Sequence, residues 1–159
     1  MTLKIKRDDS ASKTCLYFSG AIDEGFDWPN LKSLLNKELV IDLGDVTAIN
    51  SCGCRRWVKW MKELSTMEIS VSNCPKIFID QVNLIGGFIP DNGRVESFIV
   101  PYFCTACEEV TNKVFDINSL KDGVKDIWGS MVCKGCGNLA ELDVITSTFF
   151  RFLTPKSKS

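Results

Sequence analysis

Eight cysteines and no histidine delimit the chemistry open to this chain. Four of the cysteines stand as two close pairs, Cys104-x-x-Cys107 and Cys133-x-x-Cys136, with 25 residues between the pairs. Brought together, two such turns present four thiolates in a tetrahedral array, the ligand set of a structural Zn²⁺. The second pair reads Cys133-Lys134-Gly135-Cys136-Gly137. Its glycines allow the backbone to curl and aim N–H groups at the sulfurs. Four cysteine ligands leave no open coordination position, so the expected metal is structural, not catalytic. Iron takes the same ligands and is the less favoured occupant.

Other uses of the cysteines fit the sequence less well. Two disulfides fit the count, but the opening MTLKIKRDDSASK lacks the pattern of a signal peptide. No apolar run reaches the roughly 20 residues that cross a membrane. The chain is therefore expected in the cytoplasm, without membrane insertion, where thiols stay reduced. A redox-active pair would need a thioredoxin-like strand and helix around one CxxC rather than two matching pairs.

The absence of histidine excludes imidazole bases, shuttles and ligands, including Ser-His-Asp and Cys-His catalysis. With no other constellation in its place, a non-enzyme is expected. Net charge is −1, and both parts of the chain are balanced: 12 Lys and Arg against 13 Asp and Glu before residue 100, then 7 against 7. Nucleic-acid-binding domains are usually strongly basic, so a nucleic-acid partner is disfavoured. The hydrophobic fraction of 45% is enough to build a core.

The elements that must position these residues alternate between strand and helix over the first hundred residues. Leu3–Arg7 and Thr14–Ser19 read as strands around the turn Asp8-Asp9-Ser10. Trp28–Lys37 carries Leu31, Leu34 and Leu35 at helical spacing with Pro29 in its first turn. Glu38–Leu43 reads as a buried parallel strand, and Gly44–Ser51 as a loop ending in helix N-cap residues, with Ser51 the simplest cap. In the next helix Cys54, Trp57, Val58, Met61 and Leu64 share a stripe, with Arg55, Arg56, Lys59 and Lys62 on much of the other side. Met67–Val71 is a strand, Pro75 opens a helix with Phe78, Val82 and Ile85 on one face, and Gly86-Gly87 ends it. Val95–Phe103 is a β-rich run into the first cysteine pair. Strands separated by such helices imply βαβ crossovers and a partly parallel sheet. An α/β domain over 1–100 is thus expected, then a β-rich ribbon over 101–153 and a polar, disordered end over 154–159. Within the ribbon, Leu139–Leu153 and its neighbours are expected to form three short antiparallel strands or hairpins around the metal.

The segment Leu39-Val40-Ile41-Asp42-Leu43-Gly44-Asp45-Val46-Thr47-Ala48-Ile49-Asn50-Ser51-Cys52-Gly53 resembles the signature of STAS domains, the anti-sigma factor antagonist fold. Upstream, Tyr17-Phe18-Ser19-Gly20-Ala21-Ile22-Asp23 is similar to a second element of that family. The resemblance covers roughly residues 1–100 and excludes the ribbon. It implies a bacterial signalling module that binds a protein partner, such as an anti-sigma factor or kinase-like protein. The implied partner surface comprises Asn50, Ser51, Cys52, Arg55, Arg56, Lys59, Trp60 and Lys62. Ser51 matches the family's phospho-acceptor, while Asn50 stands where the family has Asp and Cys52 replaces its second serine. A phosphate at this helix N-terminus would add up to two negative charges to the docking surface.

Several of these residues have a plainer reading. Cys52, between a helix N-terminus and Arg55 and Arg56, has features that lower a thiol pKa, yet a small residue fitting a tight turn is the favoured reading. Cys15, Cys54 and Cys74 read as small packed hydrophobes. The cationic stripe reads equally as a solvated face. Trp60, at the edge of the apolar stripe, is expected to stay partly exposed as an interface anchor. The reading as a whole is a regulatory adaptor. Its alternatives are a constitutive subunit of a larger transport or signalling complex, and a zinc-ribbon contact to nucleic acid.

Overall fold

The computed structural model describes residues 2–25, 28, 29, 31, 38–120, 123–127 and 129–153. The fold is α/β. A first sheet contains β1 (Lys4–Asp9), β2 (Lys13–Ile22), β3 (Glu38–Ile49), β4 (Glu68–Ser72) and β5 (Gly93–Val95), in that spatial order. The β1–β2 pair is antiparallel, and the other three pairs are parallel. Two helices connect the later strands: α1 (Ser51–Glu63) and α2 (Lys76–Leu84). A second sheet, in the order β7-β6-β9-β8, is formed by β6 (Ser97–Phe103), β7 (Val110–Asp116), β8 (Met131–Val132) and β9 (Leu139–Leu142). All of its pairs are antiparallel. Among the described residues no helix is long and apolar enough to cross a membrane.

Side-chain alternation explains the first sheet. Along β2 and β3, Leu16, Phe18, Leu39, Ile41 and Leu43 are buried at every second position. Against them α1 lays the stripe expected of it, with Cys54, Trp57 and Met61 inside. Trp57 is the centre of this layer. Its ring meets Phe18, Trp28, Trp60, Phe78 and Phe88, and its indole N–H donates to the Phe88 carbonyl at 2.8 Å. Because Phe78 belongs to α2, both helices pack on one aromatic cluster. The core continues without a break into the second sheet through Phe98, Val100, Tyr102 and Phe115.

Several expectations are corrected. Gly44–Ile49 is strand rather than loop, because β3 stays paired with β2 as far as Ile49 through two register shifts. The cap of α1 is Asn50, one residue before the expected Ser51. The run Val95–Phe103 divides at Glu96 into strands of different sheets, so β6 starts the second sheet at Ser97. Leu139–Leu153 is strand only to Leu142. Thr146–Phe149 then forms a short helix, α3, and Phe150–Leu153 a 3₁₀ turn. The aromatic rings of this segment pack inward: Phe149 and Phe150 are buried, Phe152 stands edge-on to Phe98, and Asn83 of α2 donates to the Phe149 carbonyl. The helix expected over Trp28–Lys37 and the polar end at 154–159 fall largely or wholly outside the described residues, and Trp28, Pro29 and Leu31 belong to no regular element.

Pro101 limits the second sheet. Its carbonyl accepts from the Asp143 N–H at 2.9 Å, so its backbone faces β9. A proline has no N–H to return on that side, and β9 ends at Leu142.

Candidate metal centre and the α1 surface

The two cysteine pairs sit on matching turns. In the first, Cys104 N–H donates to the Glu109 carbonyl at 2.9 Å and Glu108 N–H to the Cys104 carbonyl at 2.8 Å. In the second, Cys133 N–H donates to the Asn138 carbonyl at 2.7 Å and Gly137 N–H to the Cys133 carbonyl at 2.9 Å. The offsets are identical. Both turns place the residue after their second cysteine in the left-handed region, Glu108 at φ 61° and Gly137 at φ 79°. Gly137 was legible in the sequence as the residue able to do this. Glu108 was not, because a glutamate gives no sign of it.

These turns bring all four Sγ atoms within 4.8 Å of one another. Cys104 and Cys136 are 3.5 Å apart, and Cys107 and Cys133 are 3.6 Å apart. A tetrahedron with metal–sulfur bonds of about 2.3 Å has edges of about 3.8 Å, so the cluster has the dimensions to hold one metal ion. Cys104 and Cys133 are buried, while Cys136 is exposed.

The surroundings treat the outer sulfurs differently. Cys136 Sγ accepts from the backbone N–H of Asn138, from its side-chain amide at 3.4 Å, and from Cys104, which together lower its thiol to about 6. At Cys107 the Glu109 N–H alone would lower the thiol, but desolvation and the sulfurs of Cys133, Cys104 and Cys136 outweigh it and push it up to about 12. Cys136 is thus the sulfur that ionises most readily, and Cys107 the one that keeps its proton. Asn138 and Glu109 escaped the sequence reading. Their signal is position, two residues beyond the second cysteine of each pair.

The residues expected at a partner surface lie at the opposite type of site, a helix start beside a parallel sheet. Asn50 caps α1: its Oδ1 accepts from Gly53 N–H at 2.7 Å, and its Nδ2 donates to Glu24 Oε2 at 2.8 Å. Arg56 reaches across to the carbonyls of Asp23 and Glu24 at 3.3 and 2.7 Å. Gly53 is required here, since a Cβ would run into the Ile22 carbonyl. Ser51, Arg55, Lys59 and Lys62 are exposed, and Cys52 is half-buried. Trp60 departs from expectation. It is 3% exposed, packs its ring at a tilt on that of Trp28 with centroids 4.9 Å apart, and gives its indole N–H to the Pro29 carbonyl. It is a core residue, because the apolar stripe of α1 is wide enough to include it. Arg56 is likewise tied down by the 23–24 loop. Cys54 and Cys74 are buried as expected, and burial raises both thiols; Cys15 is half-buried.

The chain matches no protein-family model and no curated protein.

Proposed function

We propose that this protein is a non-enzymatic regulatory adaptor of the STAS, anti-sigma factor antagonist kind, whose ribbon is held by a structural zinc ion. Cys104, Cys107, Cys133 and Cys136 would hold the metal, and the chemistry of four thiolates favours zinc among the divalent ions. A closed four-sulfur site and a chain without histidine support a binding role over catalysis.

One observation carries the adaptor reading: α1, whose first turn is fixed by the Asn50 cap, presents Arg55, Lys59 and Lys62 to solvent along its length. The two segments that resemble the family also lie side by side. Ile22 pairs with Ile49, Asn50 N–H donates to the Ile22 carbonyl at 3.2 Å, and Arg56 clasps the loop after Ile22. A partner meeting this face would find a preorganised cationic surface, which favours an acidic counterpart. Exposed Ser51, at the first position of α1, is the residue where phosphorylation would alter that surface.

The test is native mass spectrometry of the protein purified from its host, before and after a chelator, repeated with Arg55→Glu, Lys59→Glu and Lys62→Glu combined. One zinc per chain and a stoichiometric protein partner are expected, the partner being lost from the triple variant while the zinc is kept. A partner retained by the triple variant would refute the assignment of the surface.

A further inference from the structure

Among the described residues, three of the four sheet edges are blunted. Edge strand β1 is Lys4-Ile5-Lys6-Arg7-Asp8-Asp9, almost wholly charged. Edge strands β5 and β8 are three and two residues long. Charge and shortness are the usual protections against strand addition. The fourth edge, β7, is longer and carries only one charge of each sign, Lys113 and Asp116. It is seven residues long, carries Lys113 as its one cation, and leaves Val110 and Val114 52% and 53% exposed. Among the described residues, no strand lies on its outer side.

The backbone polarity of this edge follows from Pro101. The Pro101 carbonyl points to β9, so its partner on β7, Asn112, is in a non-hydrogen-bonded pair with β6. The N–H and C=O of Asn112 therefore point outward. By the alternation of a strand, those of Val110 and Val114 do as well. Among the described residues, these six aligned backbone groups have no strand partner.

We propose that β7 pairs with β7 of a second copy, antiparallel about a two-fold axis at Asn112, joining two ribbon sheets into one. In this register each outward residue faces an outward residue. Val110 of one copy lies opposite Val114 of the other, twice over, and Asn112 lies opposite itself, so the two exposed valines cover each other on one face. On the other face Lys113 lies opposite Thr111, with Lys113 of the second copy on the diagonal rather than directly opposite. A register one residue further along would set Lys113 against Lys113. This self-complementarity is what an isologous two-fold contact requires, and it selects a second copy over an unrelated strand. The interface is separate from the cationic face of α1.

The experiment is the mass in solution of the full zinc-loaded chain, by light scattering and sedimentation, at concentrations up to about 0.1 mM. Two chains per particle are expected. Asn112→Pro removes an outward N–H and leaves the β6–β7 ladder intact, and Val114→Lys puts a charge on the edge. Each variant is expected to be one chain per particle, with native zinc content and native melting behaviour by circular dichroism. A native protein that stays one chain per particle overturns the proposal, as does a dimer that survives in either folded variant. The combined α1 variant Arg55→Glu, Lys59→Glu, Lys62→Glu is expected to remain dimeric, which separates this contact from partner docking.

Discussion

Asn50 and Glu24 are joined side chain to side chain at 2.8 Å, while the same Asn50 caps α1 through Gly53 N–H. One amide therefore serves two elements. Asn50→Ala is expected to cost about 1 kcal/mol through the lost cap alone. Asn50→Asp keeps a capping oxygen but replaces the donor to Glu24 with a second carboxylate. It is expected to melt below the native protein at neutral pH, as thermal denaturation will read.

Glu24 gives this clasp a pH dependence. The Asn50 amide, then its own backbone N–H, and Arg56 hold the Glu24 carboxyl below its ordinary value of 4.5. A carboxyl with a lowered folded pKa contributes stability above its unfolded value and loses it as pH falls through the folded one. Glu24→Gln is thus expected to melt below the native protein at pH 7, and the two melting curves should converge as pH falls below 4.5 and through the lowered folded pKa. A gap that persists unchanged into acid would mean that the charge of Glu24 is not what Asn50 senses.

Gly53 and Gly86 make a matched pair of alanine substitutions. At Gly53 the added methyl meets the backbone carbonyl of Ile22, which cannot swing aside, whereas at Gly86 it meets nothing within 4 Å. Gly53→Ala is expected to destabilise by roughly 1–3 kcal/mol or more. Gly86→Ala is expected to lie within about 0.5 kcal/mol of native, as for other surface changes. Urea unfolding of the two variants side by side measures both.

Metal uptake at the four cysteines should displace protons. Cys136, lowered to about 6, is already ionised at pH 7, while Cys107, pushed up to about 12, must give up its proton. Zinc affinity is therefore expected to fall by about tenfold or more per unit of pH below 7, by competition with a colorimetric chelator. Cys104→Ser is expected to lose the metal and the order of the second sheet together. The buried rings of Phe98, Tyr102 and Phe115 would then be the first to register a change in near-ultraviolet circular dichroism.

Glu108 is held at φ 61° in the turn where its counterpart is Gly137. Left-handed backbone costs an L-residue about 1–2 kcal/mol. Glycine would relieve that cost and give back roughly 0.5–1 kcal/mol in unfolded-chain entropy. Glu108→Gly is expected to be stabilising by up to about 1 kcal/mol with zinc content unchanged. A clear loss of stability would show that the glutamate side chain itself holds the turn.

The amino-acid sequence by itself determined the features that depend on local spacing. Cysteines three positions apart can only sit on one turn, so the four cysteines of the cluster were legible before any fold was known. The stripe of Cys54, Trp57 and Met61 and the alternation of Leu39, Ile41 and Leu43 likewise follow from the periods of helix and strand. Tertiary structure decided whatever depends on which residues meet across long separations. Trp60 is interior because Trp28 and the Pro29 carbonyl, some thirty positions away, receive it. Gly44–Ile49 is strand because β2 remains beside it. Leu139–Leu153 had strand composition throughout, yet Pro101 offers no N–H past Leu142, and the chain turns inward to pack its phenylalanines on α2 and β6. The outward valines of β7 are likewise visible only in the fold, since a strand's edge is defined by the neighbour it lacks.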